Sequence, residues 1–204
     1  PPAVRERLER DAAGDLAETP TAGDGCFERV STHVLANAWT ALGAARDAAA
    51  EAGFRTLVLS SRIEGEASEA GRTMAAVAAE IAATGNPVDP PAVVLSGGET
   101  TVTVAGESEE AGRGGPNAEF ALSAARDLPE TAVLASVDTD GEDGASEAAG
   151  ALVDAETVAD RAAATAALRA HDAAGYLADR DALIRTGPTG TNVNDLRVLV
   201  VTAA

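Results

Sequence analysis

The chain has 204 residues, enough for one α/β domain with a buried core, and its 2% aromatic content means that core must be built from Ala, Val and Leu. Its 33 acidic residues face 15 basic ones, every one an Arg, for a formal charge of -18; such a surface repels phosphate-bearing polymers and sheets, which argues against nucleic acid and anionic membrane as partners. Cys26 stands alone, no apolar run approaches a membrane span and no signal-peptide pattern occurs, so the chain reads as soluble and cytoplasmic.

In chain order, residues 1–30 mix charges with Pro20, Gly23 and Gly25 and lack periodicity, which predicts a tail or linker; the start at Pro1-Pro2 points to a piece of something longer. A β-like stretch at 30–35 precedes a helix over 38–52, with Trp39, Leu42, Ala45 and Ala49 on one face and Gly53 closing it. An apolar strand is expected at 54–60. A helix follows at 68–84, with Met74, Val77, Ala78 and Ile81 at helical spacing, and stops at Gly85-Asn86-Pro87. Strands at 92–95 and 101–105 flank Ser96-Gly97-Gly98-Glu99, which reads as a glycine turn. Residues 117–126 are helical, 131–137 form an apolar strand entering an acidic loop, and 155–177 are mostly helical with breaks near His171 and Gly175. Strands at 182–185 and 196–201 end the pattern. Alternating strands and helices over 31–204 predict a three-layer α/β sandwich with a mixed, mostly parallel sheet, the glycine turn supplying an antiparallel neighbour.

Four loops have the residue types for chemistry. In Ser96-Gly97-Gly98-Glu99-Thr100-Thr101 the glycines would let backbone approach a phosphate, while Glu99 and Thr100 could orient a hydroxyl or a metal-bound water; the same text also fits a plain hairpin. Gly112-Arg113-Gly114-Gly115-Pro116-Asn117-Ala118-Glu119 runs into a helix that Pro116 helps to start, so free N–H groups and the Arg113 fork together suit an anion. Asp138-Thr139-Asp140-Gly141-Glu142-Asp143-Gly144 follows an apolar strand, and the oxygens of Asp138, Asp140 and Asp143 suit Mg²⁺, although the loop also reads as a solvated acidic cluster and does not fit an EF-hand. The stretch from Thr186 to Asp195 carries Thr189, Gly190, Thr191, Asn192 and Asn194, groups able to wrap an oxyanion or a small polyol. No Walker loop or Gly-x-Gly-x-x-Gly is present, and His33 and His171, lacking metal-ligand spacing, read as structural.

Taken in order, these loops resemble the signature of glycerate 2-kinases that carry a MOFRL domain. Ile63-Glu64-Gly65-Glu66-Ala67, Leu95 to Val104, Gly112 to Glu119, Val137 to Gly150 and Thr186 to Leu196 each resemble a family stretch, the last most specifically, and the MOFRL region would span about 92–201. The resemblance implies the C-terminal portion of such a kinase, of haloarchaeal type. The whole enzyme would transfer the γ-phosphoryl group of ATP, with Mg²⁺, to the 2-hydroxyl of glycerate, in a cleft shared with an N-terminal domain absent from this chain. It implies Arg113 as the catalytic cation and Gly97, Gly98, Glu99, Thr100, Gly114, Gly115, Asn117, Glu119, Thr189, Gly190, Thr191, Asn192, Asn194 and Asp195 as substrate or phosphate contacts. Pro116, Ala118 and Ser68 depart from the family, which usually has Arg, Gln and Arg there, and the family's active-site Lys would lie in the absent half. Alternatives are a hydroxypyruvate reductase and a non-catalytic binding or assembly remnant.

The acid excess carries a separate expectation: self-repulsion should weaken the fold in dilute buffer and be relieved as salt shortens the Debye length. Thermal unfolding in KCl should therefore show a rising midpoint from about 0.1 M to about 2 M salt, the range over which the Debye length falls to a few Å. A flat series would leave the acidic composition without a salt-adaptive role.

Overall fold

A computed structural model describes residues 1–104, 112 and 114–203. The chain forms two compact units, Pro1–Leu35 and Ala36–Ala204. In the first, α1 (Pro2–Ala12) buries no residue, a short 3-10 turn covers Gly25–Phe27, and Val4, Leu8 and Phe27 stand exposed. The β-like stretch expected at 30–35 is not a strand. Its residues are exposed, with no ladder partner or packed face to make extended backbone favourable.

The second unit opens with α2 (Ala38–Glu51), started by a reciprocal cap in which the Thr40 N–H donates to Asn37 Oδ1 and the Asn37 N–H donates to Thr40 Oγ1, both at 3.2 Å. Leu42 is fully buried, Ala45 and Ala49 partly so, but Trp39 of the expected face remains 56% exposed. Strand β1 (Arg55–Glu66) runs six residues past the expected end, absorbing its polar Ser60-Ser61-Arg62 through two register shifts against β2. Helix α3 (Ala67–Thr84) then stops where Gly85 turns left-handed, φ 75°.

Strand β2 (Ala92–Thr101) passes straight through the glycine pair, so the expected turn at Gly97-Gly98 is instead the middle of a central strand. The glycines serve close approach: Gly98 has φ 128°, and a Cβ there would lie 2.2 Å from the Ile63 carbonyl oxygen. After β2 come α4 (Pro116–Ala125), β3 (Ala132–Asp138), β4 (Gly150–Asp154), α5 (Arg161–Arg169), α6 (Ala173–Ala178), β5 (Leu183–Ile184) and β6 (Asp195–Val201). The six strands lie in the order β1-β2-β6-β3-β4-β5.

The expected three-layer α/β sandwich with a mixed sheet is found, but its strands are mostly antiparallel: β1·β2 is the one parallel pair in the described sheet and the other four pairings are antiparallel. The reason lies in the last strand. Helices α3 and α4 do connect strands that run the same way, as the alternation predicts, but β6 enters between β2 and β3 pointing oppositely and pairs with both. On one face α2 sets Leu42 against Val93, Leu95, Val58 and Val198. On the other, α3 to α6 cover Val94, Leu134 and Leu199 with Met74, Ile81, Phe120, Leu122 and Leu177. Helix α4 is buried at nine consecutive residues from Asn117 to Ala125, which makes it the axle of this layer. No helix among the described residues is long and apolar enough to cross a membrane.

Replacing Gly98 by Ala should cost about 2–5 kcal/mol, because both its backbone angle and its contact with Ile63 exclude a Cβ. Denaturant unfolding of Gly98→Ala checks this; wild-type stability would mean that β1 can shift away freely.

Candidate active site

The C-terminal ends of β1, β2 and β3 meet the N-terminal end of β6, where Asp195 lies opposite Gly98 on one side and Asp138 on the other. Helix α4 points its first turn at this edge. Its cap residue, Gly115, has no side chain to accept the free N–H groups. Asp143 supplies the acceptor from across the loop: Oδ1 takes the Asn117 N–H at 2.9 Å and Oδ2 the Ala118 N–H at 2.8 Å. A Cβ on Gly115 would sit 2.4 Å from the Asp143 carboxyl carbon, so only glycine admits this contact.

Beneath the cap lies a buried polar chain. Asp195, 5% exposed, accepts from Asn117 Nδ2 at 2.7 Å, from the Thr100 N–H at 3.3 Å and from Arg197 Nη2. Asn117 Oδ1 accepts from Ser136 Oγ at 2.6 Å. Arg197 is fully buried in β6, donates also to Thr100 Oγ1 at 2.9 Å, and lies 4.5 Å from the centre of the Phe120 ring. Burial draws the Arg197 pKa down, and the Asp195 carboxylate opposes that shift. Sequence reasoning missed Arg197; the available signal was a lone charge at an inward position of the apolar strand Leu196 to Val201.

The outer shell is stitched from the third and fourth loops. Asp140 accepts from the Glu142 N–H through Oδ1 and from Asn192 Nδ2 through Oδ2 at 3.0 Å, while its carbonyl takes the Thr189 N–H. Thr189 Oγ1 donates to the Thr139 carbonyl, Thr139 Oγ1 donates to the Asn194 carbonyl, and Asn194 Nδ2 donates to Glu99 Oε2 at 2.6 Å. Gly190, Thr191 and Asn192 are exposed along the rim, beside the partly buried Asp138 and Asp140. The Asp138 pKa is raised, first by burial and then by the charges of Asp140 and Asp195.

Most of the described residues of the expected site lie together at this edge, with two differences. Asp143 is turned into the helix and 1% exposed, so it caps α4 rather than standing beside Asp138 and Asp140; no cluster of three His, Cys, Asp or Glu suited to a metal occurs among the described residues. Glu119 turns toward His171, whose Nδ1 lies 3.3 Å from its Oε2, and burial raises the Glu119 pKa while His171 opposes the shift. Arg113 lies outside the described residues. Gly114 leads directly into the cap at Gly115.

The model of the MOFRL family matches residues 92–195. A glycerate 2-kinase of Pyrococcus horikoshii is 36% identical over 208 residues, which cover 100% of this chain and 46% of that protein. A protein of Agrobacterium vitis provisionally named a hydroxypyruvate reductase is 43% identical over 190 residues, covering 90% of this chain and 42% of its own length. The crystal structure of a glycerate kinase from Thermotoga maritima superposes with a TM-score of 0.78 at 38% identity, covering 83% of this chain and 42% of that one. The chain thus spans less than half the length of these relatives.

Asp143 gives the site a pH signature. Burial pushes its pKa from the ordinary 3.8 to about 6 against the pull of the Asn117 and Ala118 N–H groups. Between those values the folded chain binds the extra proton, so this contribution to stability is full below pH 3.8 and is lost as pH rises through about 6. The stability of the wild type relative to Asp143→Asn should consequently fall between pH 4.5 and pH 7, a comparison in which the repulsion among the other carboxylates cancels. An unchanged difference across that range would show that Asp143 stays ionised at its helix cap.

Proposed function

The chain belongs to the MOFRL family, and on that footing we propose that it supplies one wall of a glycerate kinase active site, in which the γ-phosphoryl group of ATP passes to the 2-hydroxyl of glycerate. The observation that carries this reading is the convergence of four motif loops on one sheet edge, around the start of α4, in a chain related to glycerate kinases. Phosphoryl transfer needs positioning and charge neutralisation more than covalent chemistry from the protein, and these loops offer both. The Thr189 to Asn194 rim presents hydroxyl and amide groups to glycerate or phosphate oxygens, and Gly97-Gly98 keeps the neighbouring backbone bare of side chains. Glu99, held by Asn194, and Thr100, held by Arg197, are positioned by the network rather than free to turn.

Asp138 and Asp140 are partly exposed carboxylates at the loop mouth, a donor set that fits Mg²⁺, which keeps several waters and takes one or two carboxylates with substrate phosphates. Bound there, the cation would neutralise charge between the transferring oxygens. Arg113, two positions before Gly115 in the sequence, fits the role of a second cation on the developing phosphate charge. The remaining wall, including an N-terminal domain with the family's lysine, would come from the portion of the relatives that this chain does not match.

Incubated with ATP, Mg²⁺ and D-glycerate, the 204-residue chain alone should form negligible phosphoglycerate, yet bind Mg·ADP in calorimetry, with binding weakened about tenfold or more in Asp140→Asn. Robust turnover by the isolated chain would overturn the half-site reading, and NADH oxidation with hydroxypyruvate would replace the kinase by a reductase.

A further inference from the structure

On the helical face, α3, α4 and α5 enclose a cleft of about 530 Å³ into which Arg72, Arg126, Arg161, Arg169 and His171 turn. None of Asp138, Asp140, Thr189 or Asn192 lines it. This is an unexpected place for cations: the chain holds 15 basic residues against 33 acidic ones, and four of the 15 line this one cleft. Four carboxylates, Glu66, Glu69, Glu119 and Asp127, line it as well, so its local charge is balanced where the chain as a whole is strongly acidic.

The pairing is incomplete. Arg72 is bonded to Glu69 at 3.1 Å and Arg161 to Asp127 at 2.8 Å, both on exposed side chains whose pairs are readily exchanged for another anion. Arg161 also donates to the Arg126 carbonyl, which fixes its fork at the end of α4, next to Arg126. Arg126 and Arg169 have no acidic partner among the described residues, and Arg126 Nε is buried without an acceptor. An arginine without a carboxylate partner leaves the exposed part of its guanidinium available to an external anion. The two remaining acids of the cleft are also engaged, Glu119 with His171 and Glu66 with the N–H and hydroxyl of Thr103.

The backbone adds a second observation. His171 stands just past the end of α5 in the left-handed conformation, φ 53°, where glycine is the ordinary residue. The helix end is closed in full, His171 N–H donating to the Leu168 carbonyl and Asp172 N–H to the Ala167 carbonyl, so only the side chain departs from the usual glycine. The positive φ belongs to this helix end, where His is among the side chains that tolerate it, and it sets the imidazole on the edge of the arginine-lined cleft.

We propose that this cleft is a second anion site, apart from the rim of Asp138, Asp140, Thr189 and Asn192, which binds the phosphate group of a small phosphorylated molecule between Arg126, Arg161 and Arg169. Planar guanidinium forks suit phosphate oxygens, and a cleft of this size accepts a phosphate with a short organic or diphosphate extension.

The test titrates the 204-residue chain with inorganic phosphate and with pyrophosphate at constant ionic strength set by KCl, reading the unfolding midpoint and calorimetric affinity. Both ions should raise the midpoint above the KCl control. Stronger binding of pyrophosphate marks an extended ligand, and equal binding marks a single phosphate. Arg169→Gln, an exposed substitution that leaves the fold intact, and the double variant Arg126→Gln with Arg169→Gln should each weaken binding, the latter about tenfold or more. His171→Gly suits the local backbone and should weaken binding while keeping the protein folded. Arg46→Gln, which removes an exposed arginine paired with Asp47 on α2, should change nothing. Stabilisation no greater than that from KCl, unchanged affinity in Arg169→Gln and the double variant, or an equal loss in Arg46→Gln would each overturn the site.

Discussion

A guanidinium buried in the middle of a sheet is the constraint around which this molecule is arranged. Arg197 sits in β6 with no exposed surface, and an unpaired charge there would be prohibitive. It is held by Asp195 two residues earlier on the same face, by Thr100 on the neighbouring strand and by the Phe120 ring on the helix above. Losing one partner of such a pair typically costs about 3–5 kcal/mol, because the other is left buried and uncompensated. The arrangement is therefore stiff by necessity.

That stiffness is passed outward one hydrogen bond at a time. Asp195, fixed by Arg197, holds the Asn117 amide; Asn117, fixed by Asp195 and Ser136, sets the first turn of α4; and Asp143 closes that turn from the adjacent loop. The acidic and Thr/Asn loops then knit together above this base through Thr139, Asp140, Thr189 and Asn192. The result is two tiers: a dry lower tier that determines where the sheet edge and the helix start lie, and a wetter upper tier whose carboxylates, hydroxyls and amides face the opening. Chemistry on phosphate groups needs such preorganisation, since dipoles that must first reorient lose much of their value.

Charge is distributed to the same end. The surface is acidic almost throughout, while the arginines with the most specific settings are the one sealed beneath the candidate active site and those gathered between α3, α4 and α5. An acidic exterior repels phosphate ligands at long range, so sites for them require local cations in recessed places, where water screens less. Arg197 supports a loop edge from beneath, sealed against Asp195, while the second group lines a cleft with Arg161 and Arg169 open to solvent.

Much of this was legible in the primary structure because it depends on local patterns. The 3.6-residue spacing of Met74, Val77, Ala78 and Ile81 placed α3, Gly85 placed its end, Pro116 placed the start of α4, and the ordered Gly, Asp, Thr and Asn loops marked the candidate site. What tertiary structure decided was every relation carried by distant residues. Gly97-Gly98 reads locally as a turn, and only the approach of Ile63 and Asp195 from the two neighbouring strands makes it the centre of one. The alternating pattern predicts same-direction strands and β1, β2 and β3 obey it, but the insertion of β6 between β2 and β3 is set by a chain end some sixty residues beyond β3. Asp143 reads as one carboxylate among several in an acidic loop, and it becomes a helix cap only because Gly115, 28 positions away, leaves room for it. Arg197 and Asp195 are two letters apart and still needed the fold to be understood, since a charge pair in an apolar strand is tolerable only where Thr100 of β2 and Asn117 and Phe120 of α4 converge on it. Periodicity and turn chemistry are properties of neighbours along the chain, whereas burial and electrostatic compensation are properties of neighbours in space.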